Sequence, residues 1–411
     1  MGPDDVMSER KTDLSLLPVP GVRLSTIGAG IRYQGRDDLL LIELAPGATA
    51  AAVFTRNAFC AAPVTLARHH LHQAAPRYLL VNAGNANAGT GARGLADARA
   101  CCLALAEAAG CRPEEVLPFS TGVIGEPLPV ERLTQALPAL LERLAPDAWP
   151  AAAHAIMTTD TVPKLYSHTF EVAGQRASIT GIAKGAGMIC PDMATMLAFI
   201  ATDAAVAPEA LQDCLRAAAD RSFNAITIDG DTSTNDACVL MATGALGNPP
   251  IVATGGADYM ALQAAVESVC IELATAIVRD GEGATKLVRV RVERARDRDE
   301  ARRVAYTIAH SPLVKTALFA SDPNWGRILA AVGRAGVEQL VIEEVNIWLG
   351  EVQIVAAGGR AANYTEQAGA AVMAESEILI RVALGRGEVA AEVLTCDLSC
   401  DYVRINAEYR S

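Results

Sequence analysis

Short apolar runs broken by Gly, Pro, Asp and Asn alternate with Ala-rich stretches along this 411-residue chain. The segment 30–57 has the short apolar runs and turn residues of strands and hairpins. Leu95 to Ala109 and Ala257 to Val278 contain no helix breaker and predict helices. Leu287 to Val292 alternates apolar residues with Arg, which is typical of a half-buried strand. This alternation predicts a mixed α and β protein with enough sheet to form layers.

The same patterns locate the elements around the polar segments. Ser167 to Gly174 and Met193 to Ile200 predict strands, the second of them buried. The charged segment Glu293 to Thr307 predicts a solvated helix, and the closing residues 404–411 predict another strand. The composition changes near residues 285–295, where we expect a structural domain boundary.

Composition excludes several classes of protein. Hydrophobic residues make up 51% and charged residues 20%, which suits a buried core in two or three domains. A net charge of −12 disfavours binding to nucleic acid or to anionic membranes, and 4% aromatic residues disfavour base stacking. The polar residues 1–13 resemble no signal peptide, and no apolar run approaches the length of a membrane span. We therefore expect a cytoplasmic protein.

Cysteine and histidine give no clear metal site. The ten cysteines lie mostly in apolar surroundings, where a free thiol behaves as a small hydrophobic group. Cys396 and Cys400 are four residues apart with no histidine nearby, which is weak support for zinc. We expect neither a bound metal nor a cofactor.

The most informative segment is KGAGMICPDMATML, from Lys184 to Leu197, where a glycine-rich loop leads into a buried strand. Thr195 interrupts that strand and is open to two interpretations. Most threonines in strands are packing residues, but a threonine becomes a good nucleophile when its own α-amino group is free to act as base. The second interpretation requires cleavage between Ala194 and Thr195.

Further segments resemble one family in the order in which they occur. They are NAGNANAGTG (82–91), STGVIGEPLP (120–129), MTTDT (157–161), KGAGMICPDMATML (184–197), DGEGATK (280–286), DPNWGRI (322–328) and INAEYRS (405–411). On these segments the chain resembles the ornithine acetyltransferase (glutamate N-acetyltransferase) family, also called the ArgJ family. The segments span nearly the whole chain.

The resemblance implies a fold and a division of the chain. The fold is α+β: a layered α/β/β/α sandwich of the self-processing ArgJ and aminopeptidase type, with a smaller C-terminal α/β domain. Self-cleavage would divide the chain into an α chain of residues 1–194 and a β chain of residues 195–411. The family also implies a heterotetramer of two α and two β chains.

The resemblance implies a ping-pong acetyl transfer in arginine biosynthesis, from N2-acetylornithine to glutamate. Thr195 would be the nucleophile and carry the acetyl group, and Thr121 and Gly122 would form the oxyanion hole. The implied substrate-binding residues are Thr158, Lys184, Thr195, Glu282, Asn406 and Ser411. Acetyl-CoA is a further possible co-substrate that no residue here decides.

Alternatives remain at this point. A self-processing aminopeptidase or amidohydrolase would also use a nucleophile freed at a new amino terminus, although the segments 280–286 and 405–411 favour the transferase. A non-catalytic binding protein is the other alternative. The aspartates of ITIDGDTSTND (226–236) could bind a cation, but no glutamate follows at calcium-loop spacing. We interpret that segment as a structural loop near the site.

Overall fold

The protein is described by a computed structural model that covers residues 16–190 and 196–408. Its strands, in chain order, are β1 (Val22–Ile27), β2 (Leu39–Leu44), β3 (Thr49–Phe54), β4 (Tyr78–Asn85), β5 (Val116–Val123), β6 (Lys164–Val172), β7 (Gln175–Lys184), β8 (Leu197–Thr202), β9 (Ala237–Ala242), β10 (Leu287–Ala295), β11 (Asn346–Leu349), β12 (Val352–Ala356), β13 (Gly359–Arg360), β14 (Glu377–Ala383) and β15 (Val389–Cys396).

The α-helices are α1 (Ala62–Gln73), α2 (Gly91–Ala109), α3 (Val130–Glu142), α4 (Trp149–Ala155), α5 (Pro208–Arg221), α6 (Ala257–Arg279), α7 (Arg298–Ala309), α8 (Pro312–Phe319), α9 (Trp325–Gly333), α10 (Glu366–Met373) and α11 (Cys400–Glu408). Short 3-10 helices cover Pro113–Glu115, Phe223–Ala225 and Ile342–Glu344.

Two sheets form the centre of the molecule. The first has the order β1-β2-β4-β5, and the second has the order β3-β9-β8-β7-β6. In the first sheet β4 and β5 are parallel, with Tyr78 opposite Val116. In the second sheet β8 runs parallel to β9 and antiparallel to β7, with Leu197 opposite both Ala237 and Lys184. The start of β8 is therefore fixed between two neighbouring strands.

The two sheets pack face to face around one apolar core. Phe119 of β5 and Phe199 of β8 meet edge to face across it, with 5.1 Å between ring centroids. Helices α2 and α3 cover the outer face of the first sheet, and α5 and α6 cover the outer face of the second. This is the predicted α/β/β/α sandwich, and it confirms the fold class.

A third sheet builds the smaller C-terminal layer. Its order is β13-β12-β11-β14-β10-β15, and all of its strands follow Leu287 in the sequence. Helices α7, α8 and α9 pack against it around a separate apolar cluster that includes Val290, Val304 and Ile380. After β15 the chain continues into α11, which reaches the cavity described below.

Two predicted elements were wrong. The charged helix does not begin at Glu293, because β10 continues to Ala295 and the Asp297 side chain caps α7 by accepting the Glu300 N–H at 2.8 Å. The closing segment predicted as a strand is helix α11 over its described residues. Tyr402 and Asn406 are four residues apart, so the helix places them on one face.

Helix α6 is long and apolar enough to span a bilayer by length and composition alone, contrary to the expectation from the sequence. Buried residues such as Val266, Cys270 and Leu273 pack against the second sheet. A core helix meets the same length and composition criteria, and this packing explains its apolar sequence.

We expect Phe199→Ala to lower the free energy of unfolding by about 3–5 kcal/mol, because it removes a fully buried ring from the contact between the sheets. The matched control is Phe59→Ala, whose ring is 54% exposed and should cost only about 0.5 kcal/mol. Urea unfolding of both variants measures the difference. Equal losses would contradict the assignment of Phe199 to the inter-sheet core.

Candidate active site

A cavity of about 230 Å³ lies where the carboxyl end of β5, the loop after β7, the start of β8 and helix α11 meet. Its volume is below the roughly 300–1,000 Å³ of pockets for drug-sized molecules, so it suits a smaller ligand. The predicted site residues that line it are Thr121, Gly122, Thr158, Lys184, Glu282 and Asn406. The structure therefore brings together residues that are up to 285 positions apart in the sequence.

Ala194, Thr195 and Ser411 lie outside the described residues, and their proposed roles stay predictions. The described chain resumes at Met196, which lines the cavity together with Leu197.

Thr121 and Gly122 lie near the carboxyl end of β5, where β4 and β5 approach each other closely. Gly122 has φ 134°, and a Cβ there would lie 2.3 Å from the carbonyl carbon of Gly84. Only glycine fits such a position. The register between β4 and β5 shifts at the same place, between Gly84 and Asn85. Such an irregularity interrupts the ladder of a sheet, and it can leave a backbone N–H free for a ligand.

Buried amides support this end of β5 from two sides. Asn235 donates to the carbonyl oxygens of Ser120 at 2.9 Å and of Ala86 at 2.6 Å. The Ser120 hydroxyl donates to the Asn82 side chain at 2.6 Å. These hydrogen bonds give a structural role to Asn82 in the segment 82–91 and to Asn235 in the segment 226–236, which sequence reasoning had not connected with Thr121 and Gly122.

Lys184 supplies a positive charge to the cavity at the end of β7. Burial lowers its pKa, and the negative charge of Asp160 opposes this shift most strongly. Among the described residues no hydrogen-bond partner is found for its ammonium group. A ligand carboxylate could therefore fill that role.

Glu282 supplies a negative charge nearby. Its carboxylate accepts a hydrogen bond from the Asn406 amide at 2.7 Å, and its backbone N–H donates to Ala186 at 2.8 Å. A Cβ on Gly187 would lie 2.4 Å from the Glu282 carboxyl carbon, so the glycine makes room for this side chain. The three segments that carry Glu282, Asn406 and Gly187 are thereby joined at one wall of the cavity.

A buried ion cluster lies behind the cavity. Lys164, whose side chain is fully buried, contacts Asp160 at 2.6 Å and Asp280 at 2.5 Å. Asp160 also accepts from the backbone N–H groups of Thr158 at 3.0 Å and Gly185 at 2.6 Å. Burial would raise the pKa of Asp160, but the charges of Lys184 and Lys164 outweigh it and lower that pKa to about 2.

The cluster holds three loops in one arrangement. Asp160 fixes Thr158 and the residue after Lys184, and Asp280 lies two residues before Glu282. Sequence reasoning missed Lys164, although a lysine at the head of the strand pattern KLYSHTFEV was the available signal.

The segment 226–236 forms another wall of the cavity, in agreement with its interpretation as a structural loop near the site. Asp229 accepts from the backbone N–H groups of Met188 at 2.6 Å and Ile189 at 3.0 Å, and from the Tyr402 hydroxyl at 3.3 Å. Met188 has φ 54°, which costs a residue other than glycine about 1–3 kcal/mol. Asp229 therefore holds a strained residue in the loop that leads to the predicted cleavage point.

Within the described ranges 16–190 and 196–408, no group of three or more His, Cys, Asp or Glu side chains could hold a metal ion.

The layered fold and its small, charged cavity are those of an enzyme that acts on a small molecule. The model of the ArgJ family matches residues 23–411. A relative from Methylococcus capsulatus, named arginine biosynthesis bifunctional protein ArgJ, is 62% identical over 400 residues, 97% of this chain and 98% of the relative. A relative of the same name from Pseudomonas syringae pv. tomato is 56% identical over 397 residues, 97% of this chain and 98% of the relative.

Solved structures include ArgJ from Bacillus halodurans, which is 40% identical and covers 51% of this chain and 98% of its own, with a TM-score of 0.49. Another is ornithine acetyltransferase from Mycobacterium tuberculosis in complex with ornithine. It is 36% identical and covers 43% of this chain and 94% of its own, with a TM-score of 0.39. The chain belongs to the ArgJ family.

We expect Lys164→Met to lower the free energy of unfolding by about 3–5 kcal/mol, because it leaves the buried carboxylates of Asp160 and Asp280 without their cation. The control is Arg23→Met, which breaks the Arg23–Glu43 pair and should cost at most about 1 kcal/mol because Arg23 is half exposed. Urea unfolding compares the two. A loss in Lys164→Met no larger than in the control would contradict a supporting role for the cluster.

Proposed function

We propose that the chain transfers the acetyl group of N2-acetylornithine to glutamate through an acetyl ester on Thr195. The observation that carries this proposal is one cavity in which Lys184, Glu282 and the Thr121–Gly122 segment of β5 surround the start of β8. The relatives are named after arginine biosynthesis, and this is the corresponding cellular role.

Self-cleavage would come first. The Thr195 hydroxyl attacks the Ala194 carbonyl carbon, the acyl group moves from nitrogen to oxygen, and water opens the ester. The new α-amino group of Thr195 then serves as base, since its reference pKa of about 7.7–8 lies near neutral pH. The strained Met188 and its anchor Asp229 support this step, because they fix the loop that leads to the cleavage point.

The charges of the cavity match the substrates. N2-Acetylornithine carries a carboxylate and a side-chain ammonium group, and glutamate carries two carboxylates. Lys184 would bind a carboxylate and Glu282 the ammonium group, while Thr158, Asn406 and Ser411 would offer neutral hydrogen-bonding groups. The position of Lys184 and Glu282 on the wall of the same cavity supports this pairing.

The Thr121–Gly122 segment of β5 would stabilise the oxyanion of each tetrahedral intermediate. Loss of one such donor typically costs about 2.7–4 kcal/mol of barrier. The close packing of the Gly122 backbone against Gly84 supports the role, because a preorganised donor needs no rearrangement during the reaction.

A transferase fits the cavity better than an aminopeptidase does. The segments that favour it in the sequence supply Glu282 and Asn406, and these two side chains are hydrogen-bonded at 2.7 Å in the cavity wall. Further parts of the proposal are a cytoplasmic heterotetramer of two α and two β chains, no bound cofactor, and acetyl-CoA as a second possible acetyl donor.

The test is purified protein run on a denaturing gel and assayed with glutamate and each acetyl donor separately. Wild type should show fragments 1–194 and 195–411, with an amino-terminal sequence TMLAF in the second. Thr195→Ala should remain uncleaved and transfer no acetyl group, and Thr195→Ser should retain part of both activities.

Thr202→Ala is the matched control, because Thr202 is a buried threonine at the far end of the same strand and does not line the cavity. It should be cleaved and active. Acetyl transfer by Thr195→Ala, or an uncleaved active wild type, would refute the proposed mechanism.

A further inference from the structure

Asp236 is a buried carboxyl group that has no role in the reaction proposed above. It lines the cavity, is only 3% exposed, and its Oδ2 atom has no hydrogen-bond partner among the described residues. The other buried acid of the cavity wall, Glu282, is bound by Asn406. A buried acceptor without a partner is costly, so an unpaired carboxyl oxygen in a cavity suggests a ligand-dependent role.

The backbone holds Asp236 beside the start of β8. Its carbonyl oxygen accepts the Thr55 N–H at 3.0 Å, and the next residue, Ala237, donates its N–H to Met196 at 3.0 Å. The residue after Asp236 is therefore hydrogen-bonded to the residue that follows the predicted nucleophile.

The surroundings favour a protonated Asp236. Burial raises its pKa well above the usual range, and a hydrogen bond from Ser233 and the charge of Lys184 oppose this only in part. No described ion pair joins Asp236 to Lys184 or to any other cation. The other acidic groups that line the cavity are the carboxyl groups of Asp229, Asp231 and Glu282 and the phenol of Tyr402. A neutral carboxyl group in such a site can donate a proton.

We propose that Asp236 donates a proton to the leaving amine in the first half of the acetyl transfer and accepts a proton from the attacking amine in the second half. This inference rests on the proposed function. In the first half, the Thr195 oxygen attacks the acetyl carbon and gives its proton to the α-amino group. The C–N bond of the acetamide then breaks, and the nitrogen takes its electron pair and the proton of Asp236.

The second half reverses these steps. The free amine of glutamate attacks the acetyl ester and gives a proton to the Asp236 carboxylate. The C–O bond breaks, and the Thr195 oxygen recovers its proton from the α-ammonium group. Both proton carriers are then restored. Lys184 shares the cavity and would stabilise the transient Asp236 carboxylate.

The experiment is Asp236→Asn in the full chain, since Asn keeps the shape of the side chain but cannot carry the proton. We expect normal cleavage, a KM close to wild type and a kcat about 10²–10⁴-fold lower. In wild type, kcat/KM for N2-acetylornithine should fall with rising pH as Asp236 loses its proton. This decrease of kcat/KM at high pH, the alkaline limb of the pH profile, should be absent in Asp236→Asn.

The matched control is Asp203→Asn. Asp203 is also a buried carboxyl group whose pKa is raised by burial, but it lies beyond the far end of β8 and does not line the cavity. The control should keep kcat and its pH profile. It separates proton transfer from the general effect of replacing a buried acid.

A wild-type kcat and pH profile in Asp236→Asn would overturn the inference and make Asp236 structural. If Asp236→Asn does not fold, Asp236→Glu replaces it and should retain partial kcat with a displaced pH limb; an unchanged limb would overturn the inference equally. Absence of acetyl transfer by wild type would instead refute the proposed function.

Discussion

Lys164 lies between two buried carboxylates, and the geometry of the cavity depends on that ion cluster. Asp160 and Asp280 belong to different loops, and their negative charges would repel each other without the lysine. Through them the cluster fixes Thr158, the backbone after Lys184 and the turn that leads to Glu282. The segments that carry Lys184 and Glu282, the opposite charges of the cavity wall, are therefore joined by a cluster whose lysine does not line the cavity.

The same strands form the apolar core of the sandwich and the polar cavity at its edge. Between the sheets, apolar residues such as Phe119 and Phe199 provide the packing. At the ends of β5 and β7 the chain turns polar, and close approaches at Gly122 and Gly187 let backbone and carboxylate reach the cavity. A rigid apolar core thus carries a charged site at its edge, which suits an enzyme that must keep its donors preorganised.

Local patterns predicted most of the helices, the strands before the cavity and a mixed α and β protein, because apolar periodicity records which face of an element is buried. The α/β/β/α order of the layers came from the family resemblance. The local patterns failed at residues 404–408, which belong to α11, since a short segment of alternating polarity fits a strand or an amphipathic helix. The family resemblance implied that Lys184, Glu282 and Asn406 bind substrate, and all three line one cavity. Lys164 and Asp236 were missed as functional residues because no local pattern reports contacts between distant parts of the chain. Lys164 contacts Asp280, 116 residues away, and the backbone at Asp236 and Ala237 is hydrogen-bonded to residues 40 or more positions away.

The central step of the proposed reaction is an acetyl group carried by Thr195, and intact-mass measurement of the separated fragments tests this most directly. After incubation with N2-acetylornithine and no glutamate, fragment 195–411 should gain one acetyl group at its first residue, and glutamate should remove it. Turnover without an acetylated fragment 195–411, or acetylation confined to fragment 1–194, would contradict the account.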